Sequence, residues 1–244
     1  MQAVKRVCLL TGASGTLGSA FCRLYAKEYD IAAVCHHRLP RVCCQSQQFV
    51  DPLKPKERVD ENDQPVFVIQ ADITEDKQLA RIVETALCRF GRIDLLVNAA
   101  VHYAFCPMLR TEQFIEDLPT QFMVNTIIPV KLASILVQRF WSSRQEDNLN
   151  ARRHVINVSS TSGLYVFPHS GQSVYSASKA ALNYLTLHMS EELSSIGIRV
   201  NAIAPTGFPS FVPTERVAEA ITRLDEQSIT GKILVIEENR EWYA

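Results

Sequence analysis

The sequence predicts a three-layer α/β fold, a doubly wound parallel sheet in a single domain spanning residues 1–244. Three observations predict it. Short β-branched apolar runs recur along the chain, longer helical segments alternate with them, and each run is apolar at successive positions. The last is the pattern of a strand covered on both faces. Strands interleaved with helices imply parallel βαβ units with right-handed crossovers, and 244 residues is an ordinary length for one such domain.

The elements follow in order. Val7–Leu10 gives the first strand, broken at Thr11-Gly12, and Thr16–Lys27 the first helix. Ile31–Val34 is the second strand. Arg38–Pro65 reads as a loop, because Pro40, Pro52, Pro55 and Pro65 and the charged run Lys54–Asp63 interrupt any period. Val66–Ile69, the helix Lys77–Phe90 and the strand Leu95–Val97 resume the alternation. A long helix at Thr120–Phe140 leads into Ser142–Arg153, which is polar, lacks an apolar period and reads as a second loop. Val155–Val158, the helix Tyr175–Ser195, Ile198–Ile203, the helix Glu215–Leu224 and Ile233–Ile236 complete the pattern.

Composition narrows the function. With 47% hydrophobic and 21% charged residues, disorder and disulfide-dense scaffolds are excluded. Lys+Arg 25 against Asp+Glu 26 gives a net charge of -1, so the basic footprint of a nucleic-acid binder is missing and no nucleic acid is expected as a partner. No apolar stretch approaches the length of a membrane span, and Val7–Leu10 is too short for a signal segment, so no membrane partner is expected. Seven cysteines without framework spacing read as free thiols, and the expected location is cytoplasmic.

The first strand runs into Thr11-Gly-Ala-Ser-Gly-Thr-Leu-Gly18 and then a helix. A strand, a glycine-rich turn and a helix N-terminus offer free N–H groups and the positive end of a dipole to a pyrophosphate. Gly12 permits the tight turn, Gly15 a close backbone approach and Gly18 the helix–sheet contact. Gly12, Ser14, Gly15, Thr16, Leu17 and Gly18 are therefore candidate dinucleotide contacts. Selectivity is read at the end of the second strand, Val34-Cys-His-His-Arg38. An acidic residue there would hold the ribose of NAD. His37 and Arg38 stand there instead, and a guanidinium suits a 2′-phosphate, so the expected cofactor is NADP(H). Cys35-His36-His37 with Cys43-Cys44 lacks the spacing of a metal site, and no metal is expected.

Further on, Ser173-Val-Tyr-Ser-Ala-Ser-Lys179 enters a helix on which Tyr175 and Lys179, four apart, share one face. An ammonium near a phenol favours phenolate and lowers the tyrosine pKa, and such a tyrosine can protonate a carbonyl oxygen. The strand before it, Val155–Val158, ends in hydroxyls at the sheet edge where ligands of open α/β sheets bind.

Together these residues resemble the short-chain dehydrogenase/reductase family over almost the whole chain. The matching stretches are Thr11–Gly18, Asp72-Ile73, Asp94–Asn98, Asn125, Ser159-Ser160, Tyr175–Lys179, Arg199–Asn201 and Ile229–Gly231. The resemblance implies a Rossmann-like fold, with 3-oxoacyl-carrier reductases as the nearest analogy. It implies that Tyr175 is the general acid and that Lys179 lowers its pKa and holds the nicotinamide ribose. Ser160 orients the substrate, with Ser159 and Ser162 as alternatives, and Asn125 supports a proton relay. Asp72 with Ile73 contacts adenine, Asn98, Ala99 and Ala100 lie behind the cofactor, and Pro205 and Gly207 follow the sixth strand beside it. Homodimers or homotetramers are also implied.

The sequence departs from the family pattern in several places. Thr16 follows the middle glycine of the turn, Asn98-Ala-Ala-Val101 replaces Asn-Asn-Ala-Gly, and Ile128 stands where glycine is usual. Only Phe208–Ser228 separates Gly207 from the last apolar run, so the usual lid is nearly absent, and a partner, a bulky substrate or a carrier-tethered one could close the site. The loops His102–Phe105 and Tyr165–His169, with Phe208 and Phe211, are aromatic. They suit a substrate with an apolar body and one carbonyl, or pack on one another in place of the lid. The expected activity is NADP(H)-dependent reduction of a ketone or aldehyde, small or carrier-tethered, or the reverse oxidation. The alternatives are a non-catalytic NADP(H)-binding scaffold or sensor and a nucleotide-sugar epimerase or dehydratase.

Overall fold

Residues buried on both faces leave backbone groups that only a ladder can satisfy, and each of the seven apolar runs forms a strand. The computed structural model describes residues 5–40 and 66–244. Its strands are β1 (Arg6–Thr11), β2 (Tyr29–Cys35), β3 (Val66–Gln70), β4 (Leu95–Asn98), β5 (His154–Val158), β6 (Arg199–Pro205) and β7 (Ile233–Ile236). An eighth strand, β8 (Glu241–Tyr243), absent from the expected pattern, pairs antiparallel with β7. The order is β3-β2-β1-β4-β5-β6-β7-β8, parallel as far as β7. The chain is a Rossmann-like α/β fold, as expected.

The helices are α1 (Thr16–Tyr25), α2 (Asp76–Phe90), α3 (Thr111–Phe122), α4 (Ile128–Leu136), α5 (Gln145–Asn150), α6 (Ser173–Ser194) and α7 (Thr214–Glu226). Successive residues of β1 feed opposite cores, which is why its run shows no alternation. Cys8 and Leu10 pack with Phe21 of α1 and Val217 and Ile221 of α7. Val7 and Leu9 pack with Leu79 of α2, Leu132 of α4 and Met189 of α6. The order reverses between β1 and β4, where Thr11 lies in register with Asn98. The crevice outside these strand ends is the place where open α/β sheets bind ligands.

Three expectations are corrected. Ser142–Arg153, read as a loop, contains α5. No apolar period marks it because it is fixed by polar contacts: Asn148 is fully buried and donates through Nδ2 to Trp141 O at 2.9 Å and Ile196 O at 2.7 Å. The helix expected at Thr120–Phe140 begins at Thr111 and continues to Trp141 through π turns at Met123–Ile127 and Val137–Trp141. It thereby runs through Pro119 as well as Pro129. Phe114–Trp141, 28 residues, is consequently long and apolar enough by composition to cross a membrane, contrary to the expectation that no stretch is. Here its Leu132, Ala133, Leu136 and Trp141 lie in the second core. Of the loop expected at Arg38–Pro65, residues 38–40 are irregular. Cys43, Cys44, Pro52, Pro55, Pro65 and the run Lys54–Asp63 lie outside the described residues. Only residues 206–213 join β6 to α7, which is the short lid that the sequence foretold.

Candidate active site

The glycine turn is built for close approach. Gly12 has φ +69°, and a Cβ there would meet Ala100 N and Ala99 O at 2.7 Å. A Cβ on Gly18 would lie 2.3 Å from Gly12 O, and one on Gly15 3.2 Å from the same oxygen. Thr11 Oγ1 accepts from Ala99 N at 3.1 Å and Ala100 N at 3.2 Å, fixing the segment after β4 against the turn. Helix α1 begins at Thr16 with no side-chain cap and no acidic residue in its first turn. Ser14 is half-buried, Thr16 exposed and Leu17 buried. Helix N–H groups left for an anion, beside a turn that side chains would fill, fit a pyrophosphate. At the end of β4, Asn98 Nδ2 donates to Asn157 Oδ1 at 2.8 Å, while its own Oδ1 is buried without a partner among the described residues.

Past β2, His36, His37 and Arg38 are exposed, and the two imidazoles lie with ring centroids 3.6 Å apart. His36 Nε2 is 3.7 Å from Asp72 Oδ2. Hydrogen bonds from the Thr74 hydroxyl, at 2.7 Å, and the Thr74 N–H, at 2.9 Å, hold the Asp72 carboxyl below the usual carboxylate range. Ile73, beside it, is half-buried against the second core. The ends of β2 and β3 thus bring His37, Arg38, Asp72 and Ile73 to one side of the crevice. Among the described residues no group of His, Cys, Asp or Glu is placed to hold a metal ion.

On the other side, Ser160 follows β5 in an extended conformation and caps the 3₁₀ turn Thr161–Gly163, its Oγ accepting from Ser162 N at 3.1 Å. That turn lies so close to α6 that a Cβ on Gly163 would meet Lys179 C at 2.7 Å. The tight packing brings the Ser160 hydroxyl near enough to the Tyr175 phenol to favour its ionised form. Ser159 instead donates to Lys179 O at 3.3 Å, and Ser162 to Gln172 Oε1 at 3.2 Å. Of the three serines the sequence left open, Ser160 is the one at the tyrosine.

The titration of this pair differs from the expectation. Lys179 is fully buried, and burial pushes its ammonium down to about 7. Its Nζ donates to Val158 O at 2.8 Å and lies 5.8 Å from the Tyr175 ring centroid. Tyr175 is raised, not lowered: burial pushes its phenol up more than the nearby Ser160 hydroxyl pulls it down. The reason is desolvation of both groups, which disfavours ammonium and phenolate alike.

Asn125, fully buried in the first π turn, spends its amide on protein partners. Oδ1 accepts from His102 N at 2.9 Å, and Nδ2 donates to His102 O at 2.8 Å and Ser178 Oγ at 3.0 Å. It ties the segment after β4 to the helix carrying Tyr175 and Lys179. Gln121, one turn earlier and also buried, donates from Nε2 to Ala104 O at 3.1 Å. Sequence reasoning passed over Gln121, although its spacing of four from Asn125 was a usable signal. Tyr103 and Phe105 reach Tyr175, with centroids 6.5 Å and 5.5 Å away. Phe208 instead packs on the first core, and Phe211 lies over Gly207. Pro205 closes β6 and pairs with Ile236.

A family model described as short chain dehydrogenase matches residues 6–220. The 3-oxoacyl-[acyl-carrier-protein] reductase FabG of Thermotoga maritima is 31% identical over 220 residues, covering 90% of this chain and 80% of that protein. A short chain dehydrogenase from Mycobacterium smegmatis superposes with TM-score 0.76 at 21% identity, covering 97% of this chain and 93% of that one. A short chain dehydrogenase/reductase family oxidoreductase from Brucella ovis, solved with a partially ordered NAD, superposes with TM-score 0.70 at 25% identity, covering 96% of this chain and all of that one (100%).

Proposed function

The chain belongs to the short-chain dehydrogenase/reductase family of oxidoreductases, and from that premise we propose that it is an NADP(H)-dependent carbonyl reductase. The observation that carries the proposal is that Ser160 and Lys179 gather at Tyr175 on the strand-end edge of the sheet that also carries the Gly12–Gly18 turn, whose glycines sit too close to backbone for side chains. Gly12, Ser14, Gly15, Thr16, Leu17 and Gly18 would hold the pyrophosphate, and Asp72 and Ile73 the adenine. Asn98, Ala99 and Ala100, with Pro205 and Gly207, would back the nicotinamide. His37 and Arg38 would take the 2′-phosphate, since no acidic side chain stands at the end of β2 to hold a free ribose diol.

When bound, the dihydronicotinamide supplies the hydride that adds to the carbonyl carbon. Ser160 holds the carbonyl oxygen, and Tyr175, kept protonated by its burial, gives that oxygen its proton, so that the product is an alcohol. Lys179 in its charged form steadies the phenolate left on Tyr175. The connection 206–213 between β6 and α7 is short, and a short cover there would suit bulky or carrier-tethered carbonyls. The Thermotoga relative is named for the reduction of a carrier-tethered carbonyl.

Two titrations and two variants test the proposal. Calorimetry is expected to show tighter binding of NADPH than of NADH, with Arg38→Ala weakening NADPH selectively. Tyr175→Phe is expected to lower carbonyl reduction by about 10²-fold or more, the range for removal of a general acid, while NADPH affinity is preserved. Unchanged turnover in Tyr175→Phe, or equal losses for both cofactors in Arg38→Ala, would contradict it.

A further inference from the structure

Between β4 and α3 the chain alternates. Val101, Tyr103 and Phe105 are exposed to 45%, 66% and 53%, while His102 and Ala104 are half-buried and Cys106 is buried. The alternation has a physical cause on the neighbouring helix. Asn125 takes both backbone groups of His102, and Gln121, four residues earlier on the same helix, takes Ala104 O. Two amides at helical spacing thus clamp residues two apart in the segment, so Tyr103 between them and Val101 and Phe105 on either side project the other way. Two of these three are aromatic. Tyr103 and Phe105 pack on each other at 5.8 Å and meet Tyr175 edge-on, with interplanar angles of 74° and 61°.

We infer that Val101–Cys106 is a fixed aromatic wall for the substrate, with Tyr103 and Phe105 determining specificity and Gln121 positioning them. The wall selects carbonyl compounds whose carbonyl is conjugated to a planar apolar group, an aryl ketone or aryl aldehyde. This inference rests on the carbonyl-reductase reading of the same site. Edge-on packing against Tyr175 leaves much of both rings uncovered, and aromatic rings bind planar apolar groups through such offset contacts. No Lys, Arg, Asp or Glu occurs from residue 99 to residue 109, and His102 is clamped through its backbone with its Nε2 buried, 4.0 Å from Asp117 Oδ1.

The test compares 1-phenyl-1,2-propanedione with 2,3-butanedione, which differ by an aryl group on the same diketone. Kinetics with NADPH and calorimetric binding in saturating NADP⁺, where no turnover occurs, are run on the wild type and on Phe105→Ala, Tyr103→Ala and Gln121→Leu. The wild type is expected to favour the aryl compound by about tenfold or more in both measurements, a factor equivalent to about 1.4 kcal/mol. Phe105→Ala is expected to bring the ratio near one by raising KM for the aryl compound only. Gln121→Leu is expected to lower the ratio too, whereas a merely structural loss would lower both substrates together. Tyr103 and Phe105 are half exposed, so their removal leaves the core filled and the folded protein available for assay. Equal affinity for the two diketones in the wild type, or an aryl preference that survives both alanine variants, overturns the wall. Preferential aryl binding without reduction by either nicotinamide supports the wall and overturns the reductase reading. Reduction of both diketones without preference does the reverse.

Discussion

At Lys179 the fold places an ammonium where water cannot reach it, with Val158 O as its hydrogen-bond acceptor at 2.8 Å. Burial pushes the group down to about 7 from an ordinary 10.5, and a depressed lysine is a stability statement. The stability is fully present above the unfolded pKa and is lost as pH falls towards about 7, where the buried site takes up its proton. At neutral pH the side chain therefore costs a few kcal/mol. Catalysis draws on the same cost, because only the charged form steadies a phenolate on Tyr175, and Tyr175 itself stays protonated to high pH. Carbonyl reduction is accordingly expected to quicken as pH falls through about 7, from the lysine limb alone. Lys179→Met should abolish that limb along with most of the activity, and should raise the melting temperature by several degrees. A pH–rate profile together with a thermal melt checks both. A variant that melts below the wild type would mean that the buried ammonium is better compensated than Val158 O alone allows.

Helix α5 shows the same logic on the scale of an element. Its six residues include no apolar period, and its position is set by Asn148, which supplies both Trp141 O and Ile196 O with a donor. Asn148→Ala would leave two carbonyls without that donor. Each unsatisfied buried group costs about 1–3 kcal/mol, so a lower denaturant midpoint is expected at unchanged m-value, with cofactor affinity intact because α5 lies far along the chain from the glycine turn. This dependence explains what the sequence could and could not convey. β1 to β7 were legible because continuous apolar runs leave few alternatives to a covered strand, and α1, α2, α6 and α7 because their periods are regular. Helix α5 and the three-residue β8 were not, since their stability comes from partners outside their own residues: Trp141 and Ile196 for the first, the preceding strand β7 for the second. In the site, the glycine turn and Tyr175–Lys179 were legible from spacing. The roles of Gln121 and of Asn125 as a clamp required the path of residues 101–106, and the direction of the Tyr175 shift required its burial.

Across the whole molecule the sheet separates two tasks. Its carboxyl edge carries the site, and its amino edge carries a buried polar lattice around Asp225. Arg6 donates to Asp225 at 2.8 Å and 3.0 Å, Tyr29 Oη donates to it at 3.0 Å, and His154 Nδ1 stands 3.3 Å away. Asn201 fixes the tautomer. Its Oδ1 accepts from Lys232 N, so Nδ2 must donate, to Ile229 O and to His154 Nε2, leaving the histidine proton on Nδ1 and pointed at Asp225. His154 is thus held neutral in a fully buried place, and burial pushes it down to about 4 from 6.5, the neighbouring Arg199 and Arg6 adding to the effect and Asp225 opposing it. Because its folded value is depressed, the stability it contributes is complete above pH 6.5 and is lost as pH falls towards about 4. Over that window the loss amounts to about 3 kcal/mol. Burial pushes Asp225 up, but the hydrogen bond from His154 and the charge of Arg6 outweigh it and hold the carboxyl below its usual range, so its own contribution is lost only at lower pH. The protein is therefore expected to weaken from mildly acidic pH downward through a group at the edge of the sheet opposite the site. His154→Asn keeps a donor near Asp225 but cannot take up a proton. Urea midpoints at pH 7, 5.5 and 4.5 should fall steeply for the wild type and much less for the variant, with NADPH affinity at pH 7 unaltered in both. Parallel slopes for the two proteins would assign the acid sensitivity to other groups and leave His154 a packing residue.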